Sequence, residues 1–170
     1  MTSRREFVRG LAAAGIVATP VFRESAIGSL FRANVIAALT NRGRLAFMVS
    51  REGFTAPVFL RFLRRLIRLV RRPVWLVVDN HPVHRARRVA QWVTAHADEI
   101  RLIFLPGYSP DLNPDEFLNH DVKANAVGRQ RPADPPELIA NVRSYLRIIQ
   151  HHPAAVRRFF DAPSVRYAAA

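Results

Sequence analysis

Cysteine is absent from this 170-residue chain, which excludes disulfides, thiolate metal sites and a cysteine nucleophile. Lysine occurs once, at Lys123, so nearly all of the positive charge is arginine. Aspartate is missing from everything ahead of Asp79, where Glu6, Glu24 and Glu52 are the only acids. No apolar run approaches the roughly 20 residues that a membrane-crossing helix needs, so no membrane partner is expected. What remains is a single-domain length, a globular apolar share of 49% and a net charge of +13. Such an excess favours a polyanionic partner, nucleic acid before anionic membrane, although an arginine-rich genome adds to the same bias. A cysteine-free chain fits a reducing, cytoplasmic setting.

The N-terminus, Ser3-Arg4-Arg5-Glu6-Phe7-Val8-Arg9 followed by GLAAAGIVA, looks like a twin-arginine export signal. Its apolar stretch is short, Pro20 interrupts it and no clean A-x-A site follows, so a fused or misassigned start is the expected reading. TPVFRESAIG is turn-rich and is expected to be irregular. Phe31–Leu39 and Arg44–Ser50 read as a β-hairpin around Thr40-Asn41-Arg42-Gly43.

The stretch from Phe54 to Arg72 reads as a helix with Thr55 as its cap. Arg61, Arg64, Arg65, Arg68, Arg71 and Arg72 recur at helical spacing as one stripe, and Phe62, Leu63, Leu66, Ile67, Leu69 and Val70 are expected to pack. A charge stripe is commonly just a solvated face. Here no acid is interleaved, so mutual repulsion goes unrelieved until an anion arrives, which also fits phosphate contact.

Val74–Asp79 is a continuous apolar run ending in an acid, as suits a strand covered on both faces. A helix is expected over His84–His96, then a strand over Ile100–Leu105. Strand, helix, strand at this spacing implies parallel neighbours and a right-handed crossover, with functional groups at the carboxyl ends of the strands. The next helix opens at Asn113-Pro114, an N-cap followed by a residue preorganised for the first turn. Glu116, His120 and Lys123 share one face of it. Asn113-x-x-Glu116 is also close to a capping box, in which the glutamate would serve only its helix. Helices over Pro136–Gln150 and Pro153–Phe160 suit a lid over the sheet.

Asp79 and Glu116, brought to one sheet edge without cysteine, suit oxygen coordination of Mg2+ or Mn2+ and, with basic surroundings, phosphodiester chemistry. A His81/His84/His120 metal site is the weaker alternative, and a hydrogen-bonded structural role suits His84 better.

VWLVVDNHPVHRA and RLIFLPGYSPDLNPDEFLNHDVKAN resemble the catalytic core of mariner-like bacterial insertion-sequence transposases, DDE endonucleases of the insertion-sequence six-thirty group. Asp79, Asn80 and His84 match the D-N-x-x-x-H motif of the second catalytic acid. Leu105, Pro106, Tyr108, Ser109, Pro110, Leu112, Asn113, Pro114, Glu116 and Lys123 match the block that carries the third acid and a downstream lysine. The resemblance implies an α/β, ribonuclease-H-like mixed sheet flanked by helices, with catalytic and metal-binding roles for Asp79 and Glu116. It further implies Mg2+ (or Mn2+), strand cleavage and joining on transposon ends and target DNA, and a homodimer or a full-length transposase as partner.

One departure stands out. The family's first catalytic aspartate sits on a central strand preceding the counterpart of Thr19–Arg23, and this chain has no such aspartate; Glu24 is a remote stand-in. The expected organisation is therefore an atypical segment over 1–18 and a partial catalytic domain over 19–170 that lacks the first, central strand. Either LAAAGIVA fills the vacated slot as a surrogate strand, or the chain is only marginally stable alone.

Overall fold

The computed structural model describes residues 15–21 (backbone only), 33–107, 109–129 and 131–168. Five strands, β1 (Gly15–Val21), β2 (Asn34–Thr40), β3 (Leu45–Ser50), β4 (Val74–Val78) and β5 (Ile100–Phe104), form one sheet in the order β3-β2-β1-β4-β5. β1 pairs antiparallel with β2 and parallel with β4, and β4 pairs parallel with β5.

Of the two outcomes expected for the vacated slot, the surrogate strand is the one seen: Gly15–Ala18, the second half of LAAAGIVA, lie in it. Gly15–Val21 takes the central place in the sheet and carries no acid. Thr19–Val21, expected to be irregular, belong to this strand, while 22–28 lie outside the described residues, as do Glu6 and Glu24. Proline is disfavoured in a central strand because it cannot donate to a ladder. Pro20 escapes this rule by position: the parallel ladder ends at Ala18↔Val78, so β1 is paired only with β2 where Pro20 lies opposite Ile36.

Period-two alternation divides the core between the two faces of the sheet. Val35, Ala37 and Leu39 of β2 pack with α3 (Pro114–Val122), α4 (Pro135–Gln150) and α5 (Pro153–Arg158) through Leu118, Val122, Val142, Leu146 and Val156. Ile36 and Ala38, with Val74, Leu76 and Val78 of β4, pack with α1 (Ala56–Val70) and α2 (Arg87–Ala95) through Phe59, Phe62, Leu63, Leu66 and Val89. α2 is shorter than expected: His84 to Ala86 form the turn that leads into it. Leu69, expected to pack, is 61% exposed. Six residues from Lys123 to Gly128 continue α3 as a π-helical turn, and just before it the Tyr145 hydroxyl of α4 donates to Asp121 at 2.6 Å.

The hairpin tip docks on α5. Gly43 has φ +82°, and a Cβ there would lie 2.6 Å from the Pro153 carbonyl oxygen. Both the left-handed backbone and the close approach demand glycine. Gly43→Ala is expected to destabilise the protein by roughly 1–3 kcal/mol, read as a lower denaturation midpoint in urea with an unchanged slope.

Candidate active site

Asp79 leaves the sheet as β4 ends, and its carboxylate is held by its own turn. Oδ1 accepts the His81 N–H at 2.9 Å and lies 2.8 Å from His84 Nδ1, which also faces the Asp79 carbonyl at 3.1 Å. Two acceptors in front of one ring nitrogen assign the proton to Nδ1. The His84 ring is buried, packed on Phe59 at 4.6 Å and Phe54 at 5.4 Å between centroids. Burial pushes the Asp79 carboxyl upward, but the His84 hydrogen bond, the His81 amide and the nearby imidazoles outweigh it, leaving the carboxyl below its ordinary value. Asp79 is therefore an anion at neutral pH with one oxygen committed.

Asn80 ties the end of β4 to its neighbour. Its Nδ2 donates to the Leu105 carbonyl at 2.6 Å, and its Oδ1 accepts from the Arg85 guanidinium. The Leu105 amide donates to the Val78 carbonyl at 2.8 Å, so the chain after β5 begins beside Asp79. It passes through a 3-10 turn, Pro110–Leu112, in which Leu112 packs on Val77 and Leu105. The Tyr167 hydroxyl donates to the Leu112 carbonyl at 2.6 Å and clamps this turn from the far end of the chain.

Helix α3 then starts at the same edge. Asn113 is buried and its Oδ1 accepts the Asp115 N–H at 3.1 Å, with Pro114 opening the first turn. The Glu116 carboxylate closes no capping box among the described residues; its hydrogen bond there is a long one from Asn119 Nδ2, 3.5 Å. Capping belongs to Asn113, and Glu116 is half-buried in the first turn of a helix that packs across β1 and β2. Lys123 follows as the C-cap of α3 and the first residue of the π-helical turn.

The alternative histidine cluster does not form. The His81 and His84 rings lie 6.0 Å apart, but among the described residues no group of three or more His, Asp or Glu is placed to hold an ion. β1, reading GIVATPV, adds no carboxylate. By donor type, Asp79 and Glu116 offer carboxylate oxygens of the kind a hard cation takes, with one Asp79 oxygen already committed to His84.

Arg61, Arg64, Arg65 and Arg68 are exposed along α1, on the sheet face opposite α3, whereas Arg71 and Arg72, expected to continue the stripe, are exposed beyond its end because Arg71 is a left-handed C-cap. α1 begins beside the histidines, with Phe54 5.0 Å from His81, and ends where Pro73 leads into β4, so the stripe runs away from the carboxylate edge over about 20 Å. Its charge is partly relieved, contrary to expectation. Arg61 pairs with Glu52 at 2.7 Å, Arg68 donates to the Arg64 carbonyl at 3.0 Å, and Arg64 lies over Trp92. Two residues at the edge itself, Arg85 and Tyr167, went unmarked in the sequence. Arg85 lies in a turn, outside any periodic pattern, and Tyr167 reaches its partner across 55 residues.

This sheet order, with its parallel core and edge carboxylates, is the ribonuclease-H-like α/β fold of transposase and integrase catalytic cores. The chain belongs to the DDE superfamily endonucleases, matching that family over residues 11–139. It is similar to the catalytic domain of Mos1 mariner transposase, with 18% identity and a TM-score of 0.65, covering 96% of this chain and 81% of that one. The catalytic core of HTLV-2 integrase, in complex with magnesium, aligns at 13% identity and a TM-score of 0.55 over 78% and 81% of the two chains. The simian T-cell lymphotropic virus intasome aligns at 14% and 0.59, over 76% of this chain but only 47% of that one. A Mos1 catalytic domain with Mn and raltegravir aligns at 18% and 0.64, over 96% of this chain and 82% of that one. At these identities the likeness is one of fold. A search of curated proteins returned no match.

Two outcomes test the edge. A carboxyl held below its ordinary value adds stability that is fully present above the unfolded value and lost as pH falls through the folded one. The destabilisation caused by Asp79→Asn is therefore expected to be largest near neutral pH and to shrink in acid, below the usual carboxylate range, when urea midpoints are compared across pH. Burial and Asp111 raise the Tyr167 phenol to about 12. The neutral phenol's contribution is present below the ordinary tyrosine value and lost as pH rises through about 12. Tyr167→Phe is expected to cost about 1 kcal/mol at neutral pH by leaving the Leu112 carbonyl unpaired, measured by the same unfolding transition.

Proposed function

We propose that this chain is the catalytic domain of a mariner-like transposase of the insertion-sequence six-thirty group, built for strand cleavage and joining on DNA but impaired in that chemistry. The observation that carries this reading is β1: it occupies the central slot between β2 and β4 and has no acid anywhere from Gly15 to Val21. In this reading Asp79 and Glu116 hold one Mg2+ or Mn2+, which when bound polarises a phosphate oxygen and activates water. His84 fixes the carboxylate of Asp79, Asn80 locks β4 to the loop after β5, and Asn113 with Pro114 sets the entry of the Glu116 helix. Without a third carboxylate the second ion has too little negative field to hold it. Transposon ends and target DNA are the partners, with Lys123 and the α1 arginines on phosphates, and a second copy or a full-length transposase completes the assembly. No helix among the described residues is long and apolar enough to cross a membrane, and a cytoplasmic setting suits this activity.

A second reading is a non-catalytic DNA-binding remnant, favoured by the exposed stripe Arg61, Arg64, Arg65, Arg68, Arg71 and Arg72. Nicking of supercoiled plasmid with Mg2+ or Mn2+ separates the two. The β1–β4 register, extended one step beyond Ala18↔Val78, sets Thr19 level with Asp79. Thr19→Asp restores a carboxylate there and is expected to raise nicking from near background on the order of 10²-fold, with Asp79→Ala or Glu116→Ala abolishing the gain. Vigorous nicking by the unaltered chain would refute the impairment. Salt-sensitive binding with no gain in Thr19→Asp would favour the remnant.

A further inference from the structure

The guanidinium best prepared to meet a phosphate is not on the α1 stripe. Arg85 follows the buried His84 and stands at the carboxylate edge, exposed to solvent. One of its terminal nitrogens donates to Asn80 Oδ1, and its guanidinium carbon lies 4.5 Å from the centroid of the Phe104 ring. Asn80 is itself fixed to the Leu105 carbonyl. The cation is therefore held between a neutral amide and a ring face, both belonging to the ends of β4 and β5. Among the described residues the ion pairs are Arg61–Glu52 and His84–Asp79, so no carboxylate neutralises Arg85. A guanidinium carries five N–H donors, and the Asn80 contact engages one terminal nitrogen.

The stripe lacks this double hold: Arg64 lies over Trp92 at 5.8 Å, but no amide contact fixes its guanidinium among the described residues. Arg61 is already paired with Glu52 and Arg68 is turned back on its own helix. Ordering a free arginine side chain on binding costs affinity, and one already held in place avoids most of that cost. A planar fork stacked on a ring also presents its remaining donors in a fixed direction, as a lysine could not.

We propose that Arg85 binds one backbone phosphate of a DNA strand lying across the Asp79–Glu116 edge, as a contact separate from the α1 stripe. This rests on the DNA-binding reading above. It is tested by anisotropy of a short fluorescein-labelled duplex of arbitrary sequence, titrated with the full chain at several salt concentrations. Arg85→Gln keeps a donor for Asn80 and drops the charge, so it is expected to melt like the parent chain. Its affinity at low salt is expected to fall about tenfold, and the slope of log K against log salt to shrink by about 0.9, the release of one phosphate's counterions. Arg85→Lys is expected to restore the slope but only part of the affinity, and combination with Arg68→Gln is expected to be additive. If Arg85→Gln and Arg85→Ala bind with unchanged affinity and slope while the parent still binds, Arg85 is only a tie for Asn80 and the proposal is wrong, with DNA binding intact. If the parent shows no salt-dependent binding, the DNA reading fails and this contact with it.

Discussion

The pairing of β1 with β4 is the constraint on which the rest of the molecule depends. The β2–β3 hairpin and the β4–β5 pair are separate units, and only Gly15–Val21 joins them, antiparallel on one side and parallel on the other. Remove that strand and the edges of β2 and β4 expose unpaired backbone groups. The apolar residues alternating along β2 would lose the continuous sheet that α3 and α1 pack against. The carboxylate edge inherits its shape from this pairing, because α3, which presents Glu116, crosses β1 as well as β2.

On that platform the end of β4 is well ordered. Asp79 is ionised and held by a buried imidazole of assigned tautomer, and Asn80 fastens adjacent strand ends. Glu116 stands in the first turn of a helix whose capping is done by Asn113. Preorganisation of this kind is what the proposed metal-assisted phosphodiester chemistry requires, and β1 carries no carboxylate from Gly15 to Val21. Charge is arranged on two levels. A long exposed arginine stripe covers the face opposite Glu116, and a single fixed guanidinium, Arg85, sits at the edge.

Much of this was legible in the residues because the signals were local. The apolar run ending in Asp79, the Asn113-Pro114 helix start, the Asn/Gly hairpin and the arginine periodicity each need only a short window, and each falls within a residue or two of the observed element, or within three at the hairpin's first strand. What stayed illegible is long-range. LAAAGIVA reads as a candidate for the central slot, but Thr19–Val21, with a proline among them, become strand only because β2 continues alongside them. The Glu52 partner of Arg61 and the Tyr167 clamp on Leu112 are likewise set by the fold rather than by neighbours in the chain. The early start expected for α2 failed because His84 spends its ring on Asp79, and its turn ends before the helix begins.

Amide hydrogen exchange resolved along the N-terminal region tests the central claim most directly. With β1 seated between β2 and β4, amides from Ile16 to Ala18 exchange slowly, on the scale of global unfolding, together with those of Val35–Leu39 and Leu76–Val78. Rapid exchange through residues 15–21, with β2 and β4 exposed alongside, would contradict it.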